Sequence, residues 1–419
     1  MRAAGTHVRR APHGPKAPGR VADVRRRNLA VILGHLDRYG QSTRAQLAAD
    51  TGLTKATVSS LVTDLMAAGL VSEAGVTRAG ERGRPGTGIL LNPTGAALGM
   101  EINVDYLAVG VLSLAGELVF ERRVERRNAG QEPALVLEAL AALAVSAQEE
   151  AARSGLRVYA AGLAVPGLVS EDRVSAAPNI GWKDVDLSPW VGRLTGGADI
   201  PFTLINEANS ASLGELWYGH GRSGGSDYLF ISGEVGVGGG IIIHSDLFSG
   251  PSGHAGEIGH VVVEPSGPDC SCGGAGCLEK YARQQAILDA AGIDGGTPGE
   301  RMQLLLAGLE AGDAQSRAAV ERAGRYLGVA AVSAARILNV TRLVLGGHFV
   351  GLHPWLLPGL HASLQRHAPG ILSPDDVLVS ELGPNAAVVG AAGQCLRRVL
   401  ENAYELVPED AAAAAPAGG

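Results

Sequence analysis

The sequence predicts an α/β protein of two similar halves facing a cleft, preceded by a winged helix-turn-helix domain. Three observations predict it. The 419-residue chain has a formal charge of -7, yet residues 1–92 hold 14 Lys/Arg against 6 Asp/Glu and the remainder 21 against 36, so a front of +8 precedes a body of -15. Capped, amphipathic helical patterns fill residues 23–92. A strand-strand-strand-helix order begins near Ala97, and a second copy begins near Tyr228. A basic front on an acidic body marks the first segment as the one that meets a polyanion. An apolar content of 46% can fill sizeable cores in two or three domains. No apolar run reaches the length of a membrane span, and the arginine-rich start lacks the apolar core of a secretory signal, so a cytoplasmic protein with no membrane partner is expected.

Residues 1–22 mix Pro, Gly, Arg and His without apolar periodicity and read as a disordered basic arm. From residue 28 onward Leu29, Ile32, Leu33 and Leu36 recur at helical spacing, and Gly40 is placed to end that helix. Thr43-Arg-Ala-Gln46 is a capping-box pattern that opens a short second helix, with Gly52 as its stop. Thr54 can cap a third helix, in which Val58, Leu61, Val62 and Leu65 form one apolar stripe. Lys55, Ser59, Ser60 and Thr63 lie off that stripe and are the candidates for base edges in a DNA major groove. Strands at 70–72 and 88–91 then flank Gly80-Glu-Arg82-Gly-Arg84-Pro85-Gly86. A loop of this kind is a wing, and Arg82 and Arg84 on its Gly/Pro backbone suit a narrow minor groove or phosphates. The competing reading of residues 23–92 is a small helical interaction domain, but capping, stripe, wing and charge agree on the winged helix.

The second region opens at Asn92-Pro93. Strands from Ala97, from Tyr106 and from Glu117 precede a long helical stretch from about Pro133 to Ser154, giving a first lobe over 93–205. A second lobe is expected over 206–384, a helix over 385–403 that returns to the first lobe, and a disordered tail over 404–419. Gly236-Val-Gly238-Gly239-Gly240 enters a strand of the second lobe. Glycines there can admit a phosphate to the backbone N-H groups, or can serve a plain hairpin equally well.

The most informative stretch is Cys270-Ser-Cys272-Gly-Gly-Ala-Gly-Cys277, with His260 shortly upstream. Three thiolates and one imidazole are the ligands of a closed tetrahedral structural zinc site, here His260, Cys270, Cys272 and Cys277. The alternatives are a chance cluster or a disulfide. A C-x-C pair is too close in sequence to bridge comfortably, and a bridge would leave an odd cysteine. Glu257 and Glu279 flank the ligands, so a metal would fix two acids in space.

Five segments carry a resemblance: Gly162-Leu-Ala-Val-Pro166-Gly167-Leu-Val, Ala177-Pro178-Asn179-Ile-Gly-Trp182, Asn206-Glu207-Ala208-Asn209, Gly256-Glu257-Ile-Gly-His260, and the cysteine segment ending in Cys277-Leu-Glu279. Over roughly residues 23–400 the chain resembles the ROK family (repressors, open reading frames and kinases), and specifically its regulators with an N-terminal winged helix. The resemblance implies the actin-like ATPase fold, a ribonuclease H-like, two-lobed sugar kinase fold, with a sugar in the cleft and zinc holding its wall. Asn206, Glu207, Glu257, His260 and Glu279 would surround the sugar, with Asn179 as a further contact. The family also implies assembly into homodimers or homotetramers.

Two departures separate a regulator from a kinase. A kinase of the family would carry Asp-x-Gly-Gly-Thr on the first hairpin, whereas this chain has Glu101-Ile-Asn103-Val104-Asp105, with a β-branched residue where a glycine would admit phosphate. The position resembling the catalytic aspartate holds Glu207, one methylene longer, so no catalytic residue is assigned and Glu207 is read as a degenerate base position. The expected protein is a sugar-responsive regulator, read as a repressor, that binds double-stranded operator DNA and a sugar or sugar phosphate. The alternative is an ATP-dependent sugar kinase carrying a DNA-binding domain.

Overall fold

The computed structural model describes residues 21–77, 86–223, 225, 227–367 and 369–407. The chain divides into two compact units, residues 1–91 with 400–419 and residues 92–399.

The first unit holds α1 (Val21–Tyr39), β1 (Ser42–Thr43), α2 (Arg44–Thr51), α3 (Lys55–Ala67), β2 (Val71–Thr77) and β3 (Gly86–Leu91). Local chemistry sets these boundaries. Thr43 and Gln46 close the capping box in both directions, and Gly52 ends α2 in the left-handed region at φ 73. Thr54 accepts a hydrogen bond from the Thr57 N-H and so starts α3. Leu29, Ile32, Leu33 and Leu36 of α1 are buried, as are Leu47 of α2 and Val58, Leu61, Val62 and Leu65 of α3. Their fixed spacing on three short helices makes one apolar core. Arg25 pairs at 2.6 Å with the buried Asp64 and so ties the first turns of α1, ahead of its apolar repeat, to α3. The strands pair antiparallel in the order β1-β3-β2 and run further than the sequence pattern indicates, with an irregularity between Ala74 and Val76. Residues 78–85, and with them Arg82 and Arg84, lie outside the described residues.

The second unit begins with β4 (Gly95–Ile102), β5 (Tyr106–Ser113), β6 (Leu118–Glu125) and α4 (Pro133–Arg153). Next come β7 (Arg157–Val165), β8 (Leu168–Ser170), β9 (Arg173–Ala177), β10 (Trp182–Asp186), α5 (Ser188–Leu194), β11 (Phe202–Asn206) and α6 (Glu207–Tyr218). The second half comprises β12 (Tyr228–Gly233), β13 (Val237–Ile243), β14 (Asp246–Leu247), α7 (Glu279–Ala282), α8 (Gln284–Ala291), α9 (Pro298–Glu310), α10 (Ala314–Leu338), β15 (Leu343–Gly347), α11 (His348–His367), β16 (Val377–Val379) and α12 (Ala386–Glu401).

The two large sheets repeat one plan. In the order β11-β7-β4-β5-β6, an antiparallel meander of β4, β5 and β6 is extended by parallel β7 and β11. In the order β14-β13-β12-β15-β16, the meander is β12, β13 and β14, and the parallel strands are β15 and β16. α6 follows the last strand of the first sheet and α12 the last strand of the second. These two helices come together at glycines. A Cβ at Gly214 of α6 would strike the Ala386 carbonyl, and one at Gly390 of α12 the Ser210 carbonyl. Gly99 of β4 and Gly162 of β7 admit the backbone of α12 at Val388 and Ala391. The helix that closes the second half therefore packs on the first sheet.

The chain then turns back to the first unit. Ala403–Glu405 forms a short 3-10 turn, Ala403 and Val407 are buried, and the Arg26 guanidinium lies 3.5 Å over the Tyr404 ring. Structure thus continues past residue 404, where the sequence pattern places the start of a tail; Tyr404 and Val407 supply apolar surface that an alanine-rich composition hides.

Candidate functional site

The second unit contains a cleft of about 570 Å³, and Asn179, Asn206, Glu207, Glu257, His260 and Glu279 all line it. Strand ends and helix starts do the positioning. Asn206 is the last residue of β11 and the N-cap of α6: its side-chain oxygen accepts from the Asn209 N-H at 3.1 Å and its Nδ2 donates to the Gly167 carbonyl at 2.8 Å. Half of its hydrogen-bonding capacity is spent on the fold, which leaves one N-H and one lone pair for a ligand. Glu207 starts α6, and Glu279 starts α7 and is buried. Glu257 is exposed at the entrance, and Asn179 lies opposite on the loop after β9. Gly236 brings these walls together, since a Cβ there would sit 3.0 Å from a Glu279 oxygen and 3.1 Å from Asn179 Nδ2.

Three further wall residues escape the sequence reading: Ser232, Glu234 and, from α12, Gln394. Their common signal is weak, a polar residue at an element that the motifs do not mark. Glu234 follows β12 immediately ahead of the glycine segment, where an acid is unexpected.

Behind the cleft, the first hairpin closes on itself. The Asn103 N-H donates to the Tyr106 carbonyl at 3.0 Å, and the Val104 N-H donates to the Asn103 side chain at 2.7 Å. Asn128 Nδ2 bridges the Asn103 and Tyr106 carbonyls at 2.7 and 2.9 Å. Glu101 is buried, with Tyr106 donating to it at 2.5 Å and its second oxygen without a partner. The Arg123 guanidinium stacks 3.4 Å from the Tyr106 ring.

Glu101, Glu207 and Glu234 thus form a set of neighbouring acids. Burial pushes Glu101 up to about 7 and Glu234 up to about 8, and it lifts Glu207 well above the usual carboxylate range with the two neighbouring acids adding to the effect. Arg123 opposes these shifts and Asp105 reinforces that of Glu234. The folded state therefore holds protons that the unfolded chain releases near 4.5, so the stability these groups contribute is present below that value and is lost as pH rises through about 7 to 8. Thermal melts should show Tm falling between about pH 5 and 8 and levelling above, and Glu234→Gln should flatten that slope by on the order of 1 kcal/mol per pH unit. An unchanged slope in the variant would show that Glu234 does not hold a proton.

The cysteine segment packs against the same cleft. Val262 pairs with Cys277 in an isolated bridge, Asp269 pairs with Ala275, and the Cys270 N-H donates to the Gly274 carbonyl at 2.8 Å. These pairings fold Cys270, Cys272 and Cys277 back onto His260, whose four ligand atoms lie within 4.8 Å of one another. The sulfurs of Cys272 and Cys277 are 3.7 Å apart, and Cys270 Sγ is 3.7 Å from His260 Nδ1. The edge of a tetrahedron with metal-sulfur bonds of about 2.3 Å is roughly 3.8 Å, whereas a disulfide needs about 2.05 Å. The donor set therefore fits a metal and not a bridge. Burial and the neighbouring thiols push Cys277 up to about 12, so a cation at the centre is what makes a thiolate favourable there.

In the first unit Lys55, Ser59, Ser60 and Thr63 are all exposed on α3, on the side away from its buried stripe. The structure brings these four onto one helix face. It adds that Thr63 donates to the Ser59 carbonyl at 2.9 Å, so its hydroxyl hydrogen is engaged within the helix.

This architecture has relatives. A model of the ROK family matches residues 97–397. The chain belongs to the ROK family. A model of the IclR helix-turn-helix domain matches residues 28–75, so a DNA-binding domain precedes the ROK domain, as in the family's regulators. The xylose repressor of Bacillus spizizenii is 27% identical over 380 residues, which cover 90% of this chain and 97% of the relative. The crystal structure of a ROK family transcriptional regulator, a homolog of the Escherichia coli MLC protein, superposes with a TM-score of 0.74 at 24% identity, covering 92% of this chain and 99% of that one. A ROK family glucokinase from Streptomyces griseus, in complex with glucose and AMPPNP, superposes with a TM-score of 0.61 at 27% identity, covering 71% of this chain and 98% of the enzyme. The fold is thus a helix-turn-helix domain followed by the actin-like fold of ROK sugar kinases. Among the described residues no helix is long and apolar enough to cross a membrane.

Proposed function

We propose that this ROK protein is a sugar-responsive transcriptional repressor whose kinase-like cleft binds a sugar without phosphorylating it. The observation that carries the reading is one chain joining a helix-turn-helix domain to a ROK domain whose first hairpin spends its own N-H groups. Lys55, Ser59, Ser60 and Thr63 are assigned to the major groove, and Arg82 and Arg84 to minor-groove or phosphate contacts. In the cleft, Asn179, Asn206, Glu207, Glu257, His260 and Glu279 are assigned to the sugar, because carboxylates and amides match hydroxyls as acceptors and donors. Zinc is the metal that suits one imidazole and three thiolates; it would hold His260 by Nδ1 and lock the segment carrying Glu257 and Glu279. A homodimer or homotetramer would pair two DNA-binding units on a palindromic operator, and a sugar that favours one cleft geometry would alter operator affinity by linkage.

The second reading is a sugar kinase, favoured by the likeness to the glucokinase and by the glycine segment at 236–240. Against it, phosphoryl transfer needs the triphosphate positioned and its charge neutralised. Asn103 and Val104 offer no free backbone N-H at the first hairpin, and Glu101, Glu207 and Glu234 put three buried acids at the place where phosphates and nucleophile would meet. Fluorescence anisotropy of metal-loaded protein on DNA from upstream of its own coding sequence decides between them, run at fixed salt with a sugar panel. Specific binding released by one sugar is the expected result. Sugar-dependent ADP release without any specific DNA binding would replace the repressor with the kinase.

A further inference from the structure

From a recess between α10 and α11 we infer a second ligand site on this chain, apart from the cleft, for a small molecule that carries a phosphate group. The recess measures about 390 Å³ and shares no lining residue with the cleft, so the inference stands whether or not the cleft takes a sugar. Arg322 and Arg325 reach it from α10, and Arg366 and His367 from α11. Among the described residues no acid lines it. Small residues bring the two helices this close: a Cβ at Gly324 would strike the Leu356 carbonyl, one at Gly359 the Glu321 carbonyl and one at Gly328 the Ser363 side chain. Guanidinium groups from two separate helices therefore meet around one space.

Like charges gathered in this way repel one another, and they do so on a body in which Asp and Glu outnumber Lys and Arg by 36 to 21. An anion at the centre turns that repulsion into attraction. Only Arg325 has an acid of its own, Glu321 at 3.0 Å one turn earlier. Arg322 lies over two stacked rings, 5.3 Å from the Tyr281 centroid and 5.8 Å from that of Tyr326, and neither Arg322 nor Arg366 has an ion pair or hydrogen bond with another described residue. Their donors are free. Arg366 and His367 stand in the last turn of α11, where the helix dipole alone favours a cation, but Arg322 and Arg325 stand midway along α10, where it does not. The His367 carbonyl would repel an anion, and Arg336 Nη2 donates to it at 2.8 Å. Selectivity falls to the guanidinium groups, because the Ser363 hydroxyl is spent on the Arg325 carbonyl at 2.8 Å. A guanidinium fork grips two oxygens of one phosphate, and three forks around one space match a tetrahedral dianion better than a planar carboxylate. The Tyr326 ring gives the rest of the molecule an apolar wall, and the volume is that of a small-ligand site.

Isothermal titration of the metal-loaded full-length protein with phenyl phosphate tests this at fixed pH and ionic strength, with phenol as the uncharged control. Phenyl phosphate should bind saturably with a Kd below about 1 mM, and phenol at least about tenfold more weakly. Arg322→Glu and Arg366→Glu should each weaken phenyl phosphate at least about tenfold; both residues are exposed, so the melts should stay close to that of the parent. Arg153→Glu makes the same change in net charge at the end of α4 and should leave binding as it is. Absence of saturable binding overturns the inference, as does an equal loss in all three variants, which is the mark of general charge. Binding that survives both Arg322→Glu and Arg366→Glu places phenyl phosphate elsewhere, the cleft included, and overturns it too. Operator affinity or subunit assembly that falls in Arg366→Glu while phenyl phosphate fails to bind the parent would give the recess to DNA or to a second copy of the chain instead.

Discussion

Replacing Cys277 with serine is expected to strip the protein of its metal and to uncouple the cleft from sugar. Cys277 is buried at the bridge to Val262, where it joins the two ends of the segment that carries Glu257, His260 and Glu279. Among the described residues that segment contains a three-residue 3-10 turn and isolated bridges in place of a paired sheet, so few backbone bonds hold it by themselves. Structural zinc contributes roughly 10–16 kcal/mol to folding in zinc-finger peptides, where nothing else holds the chain. Here the two large sheets are built from other residues, and the expected loss is a local one of about 3 kcal/mol or more, or roughly 6 °C in Tm. Atomic emission should fall from one zinc per chain to near zero, sugar titration should lose its heat, and far-ultraviolet dichroism should change little. A Cys277→Ser protein that retains one zinc and an unaltered sugar response would sink the assignment. Cys272→Ser offers an independent check, because Cys272 is exposed and its replacement leaves the packing alone.

The second large effect is expected from Lys55→Glu. Lys55 is exposed at the first position of α3, directly after the Thr54 cap. A carboxylate at that position favours the helix dipole by about 0.3–1 kcal/mol, so the domain should melt no earlier than the parent. DNA responds the other way. One ammonium is lost from the phosphate field and one like charge is added, which should weaken operator binding by about 10- to 100-fold and reduce the slope of log affinity against log salt by about 1. Unchanged affinity with an intact melt would remove α3 from the DNA interface.

The legible parts of this protein are those in which neighbours in sequence are also neighbours in space. The Thr43 and Gln46 capping box, the Gly52 stop and the α3 stripe each span one or two helical turns, and each appears in the structure as read. The four cluster residues fall within a short stretch, and two of them stand one residue apart, too close to bridge comfortably. The set of Glu101, Glu207 and Glu234 could not be read this way. It forms only when the end of β4, the start of α6 and the end of β12 converge, and neither periodicity nor composition reports such convergence. The same limit hides the role of Gln394, which follows from glycines on β4, β7 and α6 that admit α12. The expected tail at 404 shows the converse error, since low complexity further along masks the packing of Tyr404 on Arg26.

The packing of residues 403–407 within the first unit means that this small domain is assembled from both ends of the polypeptide, and the ROK domain is in effect an insertion within it. Two covalent tethers, near residues 92 and 399, replace the single linker of a beads-on-a-string protein. A single linker swivels, so a domain can turn without moving its neighbour, whereas a pair of tethers resists twist and transmits it. The same topology dictates that a fragment cut after residue 92 would leave α1 without its cover, and that a truncation at the carboxyl end would be felt at the amino end.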